Sequence, residues 1–155
     1  MTIFIAADHR GFEFKNKIVE YLQQKNIRVE DMGPYEYDPV DDYPDFAFKV
    51  AQAIRQNPSE LLGIVICGSG AGVSAAANRN PGVICGLGFN IKQVKHMREN
   101  DHANVLALPS DYIDFDTATS FINTFLEAVP KTDEKYLRRA RKLDEVQKAP
   151  PEAII

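Results

Sequence analysis

The feature that most constrains the fold of this chain is the alternation of five short apolar runs with segments of helical periodicity. The apolar runs cover residues 2–7, 27–32, 61–67, 83–88 and 103–108. Each has the length and composition of a buried β-strand. Helical segments follow at residues 12–24, 44–55, 73–78, 91–98 and 114–128, and a charged helix is predicted at about 132–147. This alternation predicts an α/β protein with a five-stranded parallel sheet, helices on both of its faces and a C-terminal helix.

The size of the chain fits one domain. The 155 residues are 45% apolar, and a chain of this length buries roughly two-thirds of the surface that it exposes when unfolded. Residues 1–148 are therefore predicted to form a single domain. Residues 149–155, which include Pro150 and Pro151, are predicted to be a flexible tail.

Charge and cysteine content limit the class of partner and the compartment. The 18 basic and 22 acidic residues give a net charge of −4, which provides no general attraction for nucleic acid or for an anionic membrane. No run approaches the ~20 apolar residues of a membrane span, and the N-terminus lacks the features of a signal peptide. Cys67 and Cys85 fall in predicted strands without zinc-site spacing. We expect a cytoplasmic protein without a metal.

The carboxyl ends of the predicted strands carry the polar residues of greatest interest. Asp8 and His9 follow the first strand, residues 67–69 end the third, Asn90 follows the fourth and Ser110 follows the fifth. Ligands of parallel α/β sheets bind beyond these strand ends. The sequence therefore predicts the functional site at this edge of the sheet.

The segment from Ile66 to Gly72 places a thiol at the end of the third strand and three glycines before the next helix. Glycines allow backbone N–H groups to approach an anionic ligand, and the positive end of a helix dipole favours the thiolate of Cys67. The Ser69 hydroxyl and the neighbouring amides are suited to hold an oxyanion. The glycine spacing matches neither a P-loop nor the dinucleotide fingerprint. A structural alternative is that Cys67 is a small buried residue and Ser69 caps the helix.

Asp8 and His9 form a second candidate group. An acid beside an imidazole at the mouth of a sheet can bind hydroxyls, transfer protons or contact a phosphate. The alternative is that Asp8 caps the following helix and His9 is merely solvated.

Several ordered segments carry a resemblance to a known family: residues 7–11 (ADHRG), 42–44 (DYP), 66–74 (ICGSGAGVS) and 77–78 (AN). Together they resemble the ribose-5-phosphate isomerase B and galactose-6-phosphate isomerase family, in matching order over residues 2 to about 143. The resemblance implies a three-layer Rossmann-like domain that isomerises a phosphorylated sugar. It also implies a homodimer, which often pairs into a tetramer, an active site built by both subunits, and no metal or organic cofactor.

The resemblance also implies roles for individual residues. Cys67 is implied to be the base that moves a proton through a cis-enediolate, because residues 73–75 lack the glutamate that another branch of the family uses. Asp8 and Ser69 are implied to be further catalytic residues. The implied substrate ligands are His9, Tyr43, Gly68, Gly70, Ala71, Gly72, Asn100, Asp101, Lys135 and Arg139.

The chain departs from the family pattern on both sides of the fifth strand. Asn100 stands where the family has a ring-opening histidine, and Asp101 replaces an amide expected to contact sugar hydroxyls. His102 is a candidate catalytic substitute for that histidine, with a structural role as the alternative. Asp111 stands where the family has a phosphate-binding arginine, and an acid there is expected to repel phosphate.

These departures leave the substrate open. Ribose 5-phosphate is the substrate that the resemblance suggests, and a tetrose phosphate that needs no ring opening is an alternative. A non-catalytic sugar-phosphate binding protein of the same fold is a second interpretation, motivated by Asn100 and Asp111. A flavodoxin-like nucleotide binder is a third, which only fold analogy supports.

Overall fold

The computed structural model of the protein describes residues 2–148. The strands are β1 (Thr2–Ala7), β2 (Arg28–Asp31), β3 (Leu62–Cys67), β4 (Cys85–Leu87) and β5 (Val105–Pro109). The helices are α1 (Phe12–Gln24), α2 (Tyr43–Ile54), α3 (Ala71–Ala77), α4 (Ile91–Asn100), α5 (Phe115–Glu127) and α6 (Glu134–Lys148). The predicted tail, residues 149–155, lies outside the described residues.

The five strands form one parallel sheet in the order β2-β1-β3-β5-β4. All six residues of β3, the central strand, are buried. The predicted α/β fold with a five-stranded parallel sheet is therefore confirmed. Because β1, β3 and β5 are neighbours, the loops at their carboxyl ends meet, whereas β2 and β4 lie at the edges.

Two hydrophobic layers flank the sheet, and alternate strand residues belong to opposite layers. Ile5, Ile64 and Leu106 pack with α1, α4 and α5. On the other face, Val65 and Ala107 pack with α2 and α3. Fully burying a side chain of isoleucine or leucine size stabilises the fold by about 1.5–3 kcal/mol, so the two layers hold the sheet rigidly beneath the loops that it carries.

The fourth strand is shorter than the sequence pattern predicts, with three residues instead of the six of the run 83–88. The side chain of Asn104 explains the difference. Its Oδ1 accepts a hydrogen bond from the Ile84 N–H at 2.9 Å, and its Nδ2 donates to the Gly82 carbonyl at 2.8 Å. A side chain therefore takes bonds that a strand ladder would otherwise make, and the regular pairing begins only at Cys85.

The C-terminal helix α6 lies against the amino-terminal edge of the sheet. Leu137 and Asp144 of this helix line a cleft with Ile84 and Asn104, which precede β4 and β5. The Gly82 N–H also donates to the Asp144 carboxylate at 2.9 Å. Within residues 2–148, no helix is both long enough and apolar enough to cross a membrane.

Candidate active site

A cavity of about 320 Å³ opens at the carboxyl ends of β1, β3 and β5. It is lined by Asp8, Arg10, Tyr43, Cys67, Gly68, Ser69, Gly72, Asp111 and Tyr112. Backbone hydrogen bonds hold the three loops together: the Asp8 N–H donates to the Ile66 carbonyl, and the Ser110 N–H donates to the Cys67 carbonyl. The predicted edge of the sheet therefore carries a real concavity, and six of the predicted site residues line it.

Cys67 ends β3 with its thiol at the base of this cavity. The side chain is 5% exposed, and the Gly70 N–H donates to Sγ at 3.2 Å. Gly70 has a φ of 71°, and a Cβ there would lie 2.5 Å from Leu87 Cδ1, so only glycine directs its N–H at the sulfur without strain. An amide that donates to sulfur stabilises the thiolate, which is the form that acts as a base or nucleophile.

The second cysteine differs from Cys67 in its access to the cavity. Cys85 begins β4 and packs in the same hydrophobic layer as Cys67, beneath α2 and α3, but it is not among the residues that line the Cys67 cavity. Burial raises the pKa of its thiol to about 12, although a hydrogen bond with Ser74 opposes the shift. Cys85 therefore stays protonated at neutral pH, and Cys67 is the cysteine that lines the cavity.

The loop after Cys67 presents backbone donors. In the part of the chain that the structure describes, the N–H groups of Gly68, Ser69 and Gly72 donate to no protein acceptor. Ser69 Oγ accepts a 3.3 Å hydrogen bond from the Ala71 N–H, which shapes the turn. Gly72 lies under the Tyr43 ring, where a Cβ would come within 2.9 Å of Cζ. The loop is suited to hold an oxyanion next to the thiol.

Asp8 serves both the turn and the cavity. Its Oδ1 accepts hydrogen bonds from the Arg10 and Gly11 N–H groups at 3.0 and 3.1 Å, which stabilise the turn before α1 but do not cap that helix, whose N-cap residue is Gly11. Its side chain also lines the cavity with Cys67. Burial is the largest influence and raises the pKa of Asp8, while those two hydrogen bonds partly lower it. A carboxyl with a raised pKa is better suited to donate and accept protons than an ordinary exposed one.

His9 points its imidazole at a carboxylate that sequence reasoning missed. Nδ1 donates to Asp41 Oδ1 at 2.7 Å, and the His9 backbone N–H donates to the same oxygen at 2.9 Å. The Asp41 hydrogen bond is the main reason that the pKa of His9 is raised. His9 is not among the residues that line the Cys67 cavity within residues 2–148.

Arg10 and Asp111 face each other across the mouth of the cavity. Nε and Nη2 of Arg10 donate to Asp111 Oδ2 at 2.8 and 2.5 Å. The pair connects the loop after β1 with the loop after β5, and it lies directly above Gly68. A Cβ at Gly68 would come within 2.6 Å of Asp111 Oδ2 and 2.7 Å of Arg10 Nε. The expected repulsion of phosphate by Asp111 stays a prediction, and the structure adds that this acid is paired with a guanidinium.

Comparison with known proteins decides the family. The family model described as Ribose/Galactose Isomerase matches residues 3–146. The probable ribose-5-phosphate isomerase B of Mycoplasma pneumoniae is 43% identical over 126 residues, covering 81% of this chain and 82% of the relative. The enzyme of Mycobacterium tuberculosis strain H37Rv is 32% identical over 97% of this chain and 94% of its own length. The chain belongs to the ribose/galactose isomerase family.

Solved structures agree with this assignment to the ribose/galactose isomerase family. The structure of ribose-5-phosphate isomerase B from Mycoplasma genitalium with bound ribulose-5-phosphate superposes with a TM-score of 0.91, at 40% identity over 96% of this chain and 97% of that one. The Thermotoga maritima protein gives a TM-score of 0.86 at 42% identity, covering 93% of this chain and 97% of that one. The predicted class, an aldose–ketose isomerase of the ribose-5-phosphate isomerase B type, is confirmed by these matches.

Three predicted residues of the isomerase lie away from the Cys67 cavity of their own chain. Asp101 lines a separate cavity of about 460 Å³ beside α4, together with Phe89. Asn100 donates from Nδ2 to a ring nitrogen of His96. His102 Nε2 donates to the Lys131 carbonyl at 2.9 Å, near the cleft that α6 forms at the amino-terminal edge of the sheet. A single chain therefore does not bring these side chains to its own thiol.

The basic residues of α6 are also separated from that cavity. Lys135 and Arg139 are exposed, and both lie over the ring of Tyr136, at 4.7 and 6.0 Å from its centroid. Lys131 approaches the same ring at 5.4 Å. Because α6 lies at the amino-terminal edge of the sheet, its cations cluster around Tyr136 and do not reach the Cys67 cavity of the same chain.

Sequence reasoning missed Tyr112 and Asp41. Tyr112 follows Ser110 by two residues and lines the cavity with 78% of its surface exposed, so its position after β5 was an available signal. Asp41 pairs with a residue 32 positions away, and nothing in the Asp-rich loop distinguishes it from Asp38 or Asp42. Within residues 2–148, no three His, Cys, Asp or Glu side chains group as a metal site.

Proposed function

We propose that this protein interconverts an aldose phosphate and its ketose phosphate, with Cys67 as the base and without a metal or organic cofactor. The observation that carries the proposal is the environment of the Cys67 thiol. It lines a cavity, accepts a hydrogen bond from the Gly70 amide, and has the free N–H groups of Gly68 and Ser69 beside it. The relative from M. genitalium, which was solved with bound ribulose-5-phosphate, supports a ketose phosphate as the ligand class.

The proton transfer begins with the thiolate of Cys67. The thiolate removes the proton from the carbon next to the aldehyde, and an enediolate forms whose negative charge falls on the former carbonyl oxygen. The amides of Gly68, Ser69 and Gly72 and the Ser69 hydroxyl stabilise that oxygen, since preorganised donors act most strongly where charge develops. The Cys67 thiol then returns the proton to the former aldehyde carbon.

The two oxygens must also exchange a proton, because the aldehyde oxygen becomes a hydroxyl while the neighbouring hydroxyl becomes a ketone. Asp8 is the group that we assign to this step. It lines the same cavity, and burial raises its pKa towards the range in which a carboxyl can both donate and accept. One carbon of the sugar is oxidised while its neighbour is reduced, so no external oxidant or reductant is needed.

The substrate that we propose to test first is ribose 5-phosphate, with ribulose 5-phosphate as product. A cyclic pentose needs an acid for ring opening, and within residues 2–148 no histidine lines the Cys67 cavity. His102 stays a candidate acid only for the cavity of a partner subunit. In its own chain, Nε2 donates a hydrogen bond to the Lys131 carbonyl, at the amino-terminal edge of the sheet. A tetrose phosphate, which needs no ring opening, stays the alternative substrate.

We also propose a homodimer, possibly paired into a tetramer, in which each subunit completes the site of the other. Two features support it. Lys135 and Arg139 lie on an exposed face of α6, away from their own cavity. Large aromatic side chains are exposed in the Cys67 cavity and in the separate cavity beside α4, namely Tyr112 at 78% and Phe89 at 71%, as expected of a surface that a second chain covers.

The test compares Cys67→Ala with Cys85→Ala as a matched cysteine control. Removal of a catalytic base lowers the rate by about 10²–10⁴-fold, so Cys67→Ala should lose turnover of ribose 5-phosphate by that factor while its circular dichroism stays unchanged. Cys85→Ala should retain turnover close to that of the wild type. Near-normal turnover in Cys67→Ala would remove Cys67 from the mechanism.

A second experiment, deuterium exchange, separates an isomerase from a non-catalytic binding protein of the same fold. Incubation in deuterated water should place deuterium on the transferred position of the sugar phosphate, read by proton NMR. A wild-type protein that binds four-, five- and six-carbon aldose phosphates but exchanges deuterium into none of them would support the binding protein instead.

A further inference from the structure

The charges that line the Cys67 cavity are few and can be counted. Within residues 2–148, the lining contains the carboxyls of Asp8 and Asp111 and the guanidinium of Arg10. Arg10 is thus the one cation that a single described chain places in this cavity. A phosphorylated substrate brings a dianion to the same space, so the arrangement around Arg10 bears directly on its recognition.

The pairing of Arg10 leaves donors unused. An arginine has five N–H groups, and Nε and Nη2 each give one to Asp111 Oδ2. The three others find no acceptor among the described residues. The side chain of Arg10 is 56% exposed and that of Asp111 is 35% exposed, so the outer edge of the guanidinium is open to a ligand.

The pair is fixed relative to the thiol by the backbone. The Ser110 hydroxyl hydrogen bonds to the carbonyls of both Arg10 and Cys67 at 3.2 Å. The Asp111 N–H donates to the Gly68 carbonyl at 3.0 Å. Hydrogen bonds therefore connect Arg10 and Asp111 to the loop after Cys67, and Asp111 holds the guanidinium above Gly68.

The geometry points to Arg10 as the residue that binds the phosphate of the substrate from the same subunit as Cys67, with Asp111 as the positioning residue that holds its guanidinium in place. This inference rests on the proposed function, since it names the ligand of the anionic end of that substrate. Asp111 acts through Arg10 alone: while paired it orders the cation, and without Arg10 it is a bare carboxylate facing a dianion.

The first measurement uses inorganic phosphate as the probe and calorimetric titration as the readout. Arg10→Gln should weaken phosphate binding by about 10–100-fold, the range for loss of a hydrogen bond to a charged group. The affinity of Arg10→Lys for phosphate should lie between those of the wild type and Arg10→Gln, because lysine retains the charge and loses the bidentate donor geometry. Arg55→Gln, which removes an exposed arginine at the end of α2, is the control and should bind phosphate like the wild type.

The second measurement tests Asp111 by a double-mutant cycle. Asp111→Ala should raise the dissociation constant of phosphate about threefold in the wild-type background, because the guanidinium loses its anchor and must be ordered by the ligand. In the Arg10→Gln background the same substitution should lower it, since an unpaired acid is removed. A merely structural role would instead give the same direction of change in both backgrounds and would overturn the assignment of Asp111.

Steady-state kinetics with ribose 5-phosphate complete the test. Arg10→Gln should raise KM by about 10–100-fold with kcat within a few-fold of the wild type, as expected for a group that holds substrate and transition state alike. Unchanged KM and unchanged phosphate affinity in Arg10→Gln would overturn the inference while turnover upheld the proposed function. Phosphate binding that depends on Arg10 in a protein without turnover would uphold the inference and reject the proposed isomerase.

Discussion

Replacement of Asp41 by asparagine tests an electrostatic contact that the sequence did not predict. Asp41 Oδ1 accepts hydrogen bonds from both the ring Nδ1 and the backbone N–H of His9, at 2.7 and 2.9 Å. The Asp41 side chain is 7% exposed and that of His9 is 28% exposed. Asparagine keeps the shape and an acceptor oxygen, so the substitution removes the charge and little else.

The size of the effect follows from the kind of bond that is changed. A hydrogen bond to a charged group contributes about 1.5–3 kcal/mol, and it is roughly twice as strong as a neutral one. Asp41→Asn should therefore cost about 1 kcal/mol of unfolding free energy while His9 is protonated.

The dependence on pH has a definite sign. Since Asp41 raises the pKa of His9 in the folded protein, the stabilisation is fully present below the pKa of an unfolded histidine, near 6.5, and it is lost as the pH rises through the folded pKa. The stability difference between wild type and Asp41→Asn should be largest near pH 5.5 and should shrink by pH 9.

Urea denaturation at the two pH values measures this difference, with the protein concentration fixed so that any association contributes equally. Proton NMR titration of the imidazoles gives a direct readout. The resonance of His9 should titrate at lower pH in Asp41→Asn than in the wild type. An unchanged His9 titration, or an equal stability difference at both pH values, would refute the reasoning.

Two further predictions concern Gly70, in the loop after Cys67, and the two thiols. Gly70→Ala should destabilise the fold by about 1–2 kcal/mol because of the positive φ of 71° alone. The close approach of the new Cβ to Leu87 should add to this loss, and urea denaturation measures the total. At pH 8, iodoacetamide should label Cys67 in the native protein and leave Cys85 unlabelled until denaturant is added, because burial raises the pKa of Cys85 to about 12. Peptide mass spectrometry reads the sites, and equal labelling of both cysteines would contradict the assigned environments.

The fold was predictable from the sequence because its signals are local. Each apolar run and each helical segment can be recognised from neighbouring residues, and the rule for parallel sheets then locates the site at the carboxyl ends of the strands. The length of β4 was not predictable, because it depends on the Asn104 side chain, which reaches Gly82 and Ile84 from the next strand segment.

The candidate site divides in the same way. Asp8, Cys67 and Ser69 follow directly from strand ends, and the cavity contains all three. The pairs His9–Asp41 and Arg10–Asp111 join residues 32 and 101 positions apart, and no local pattern indicates them. Position 111 shows the consequence: the sequence shows an acid there, and only the structure shows that Arg10 pairs with it.

The order of the strands also explains which residues of the proposed site one chain brings together. The neighbours β1, β3 and β5 bring Asp8, Cys67 and Asp111 together, whereas α6 lies at the amino-terminal edge with Lys135. A phosphate dianion in the Cys67 cavity would meet two carboxyls and a single guanidinium, which is too little positive charge to bind it tightly. In the homodimer that we propose, additional cations come from a second copy of the chain, and the exposed basic face of α6 is suited to provide them. We therefore expect that Lys135→Ala, like Arg10→Gln, weakens phosphate binding, but only at protein concentrations at which the chains associate.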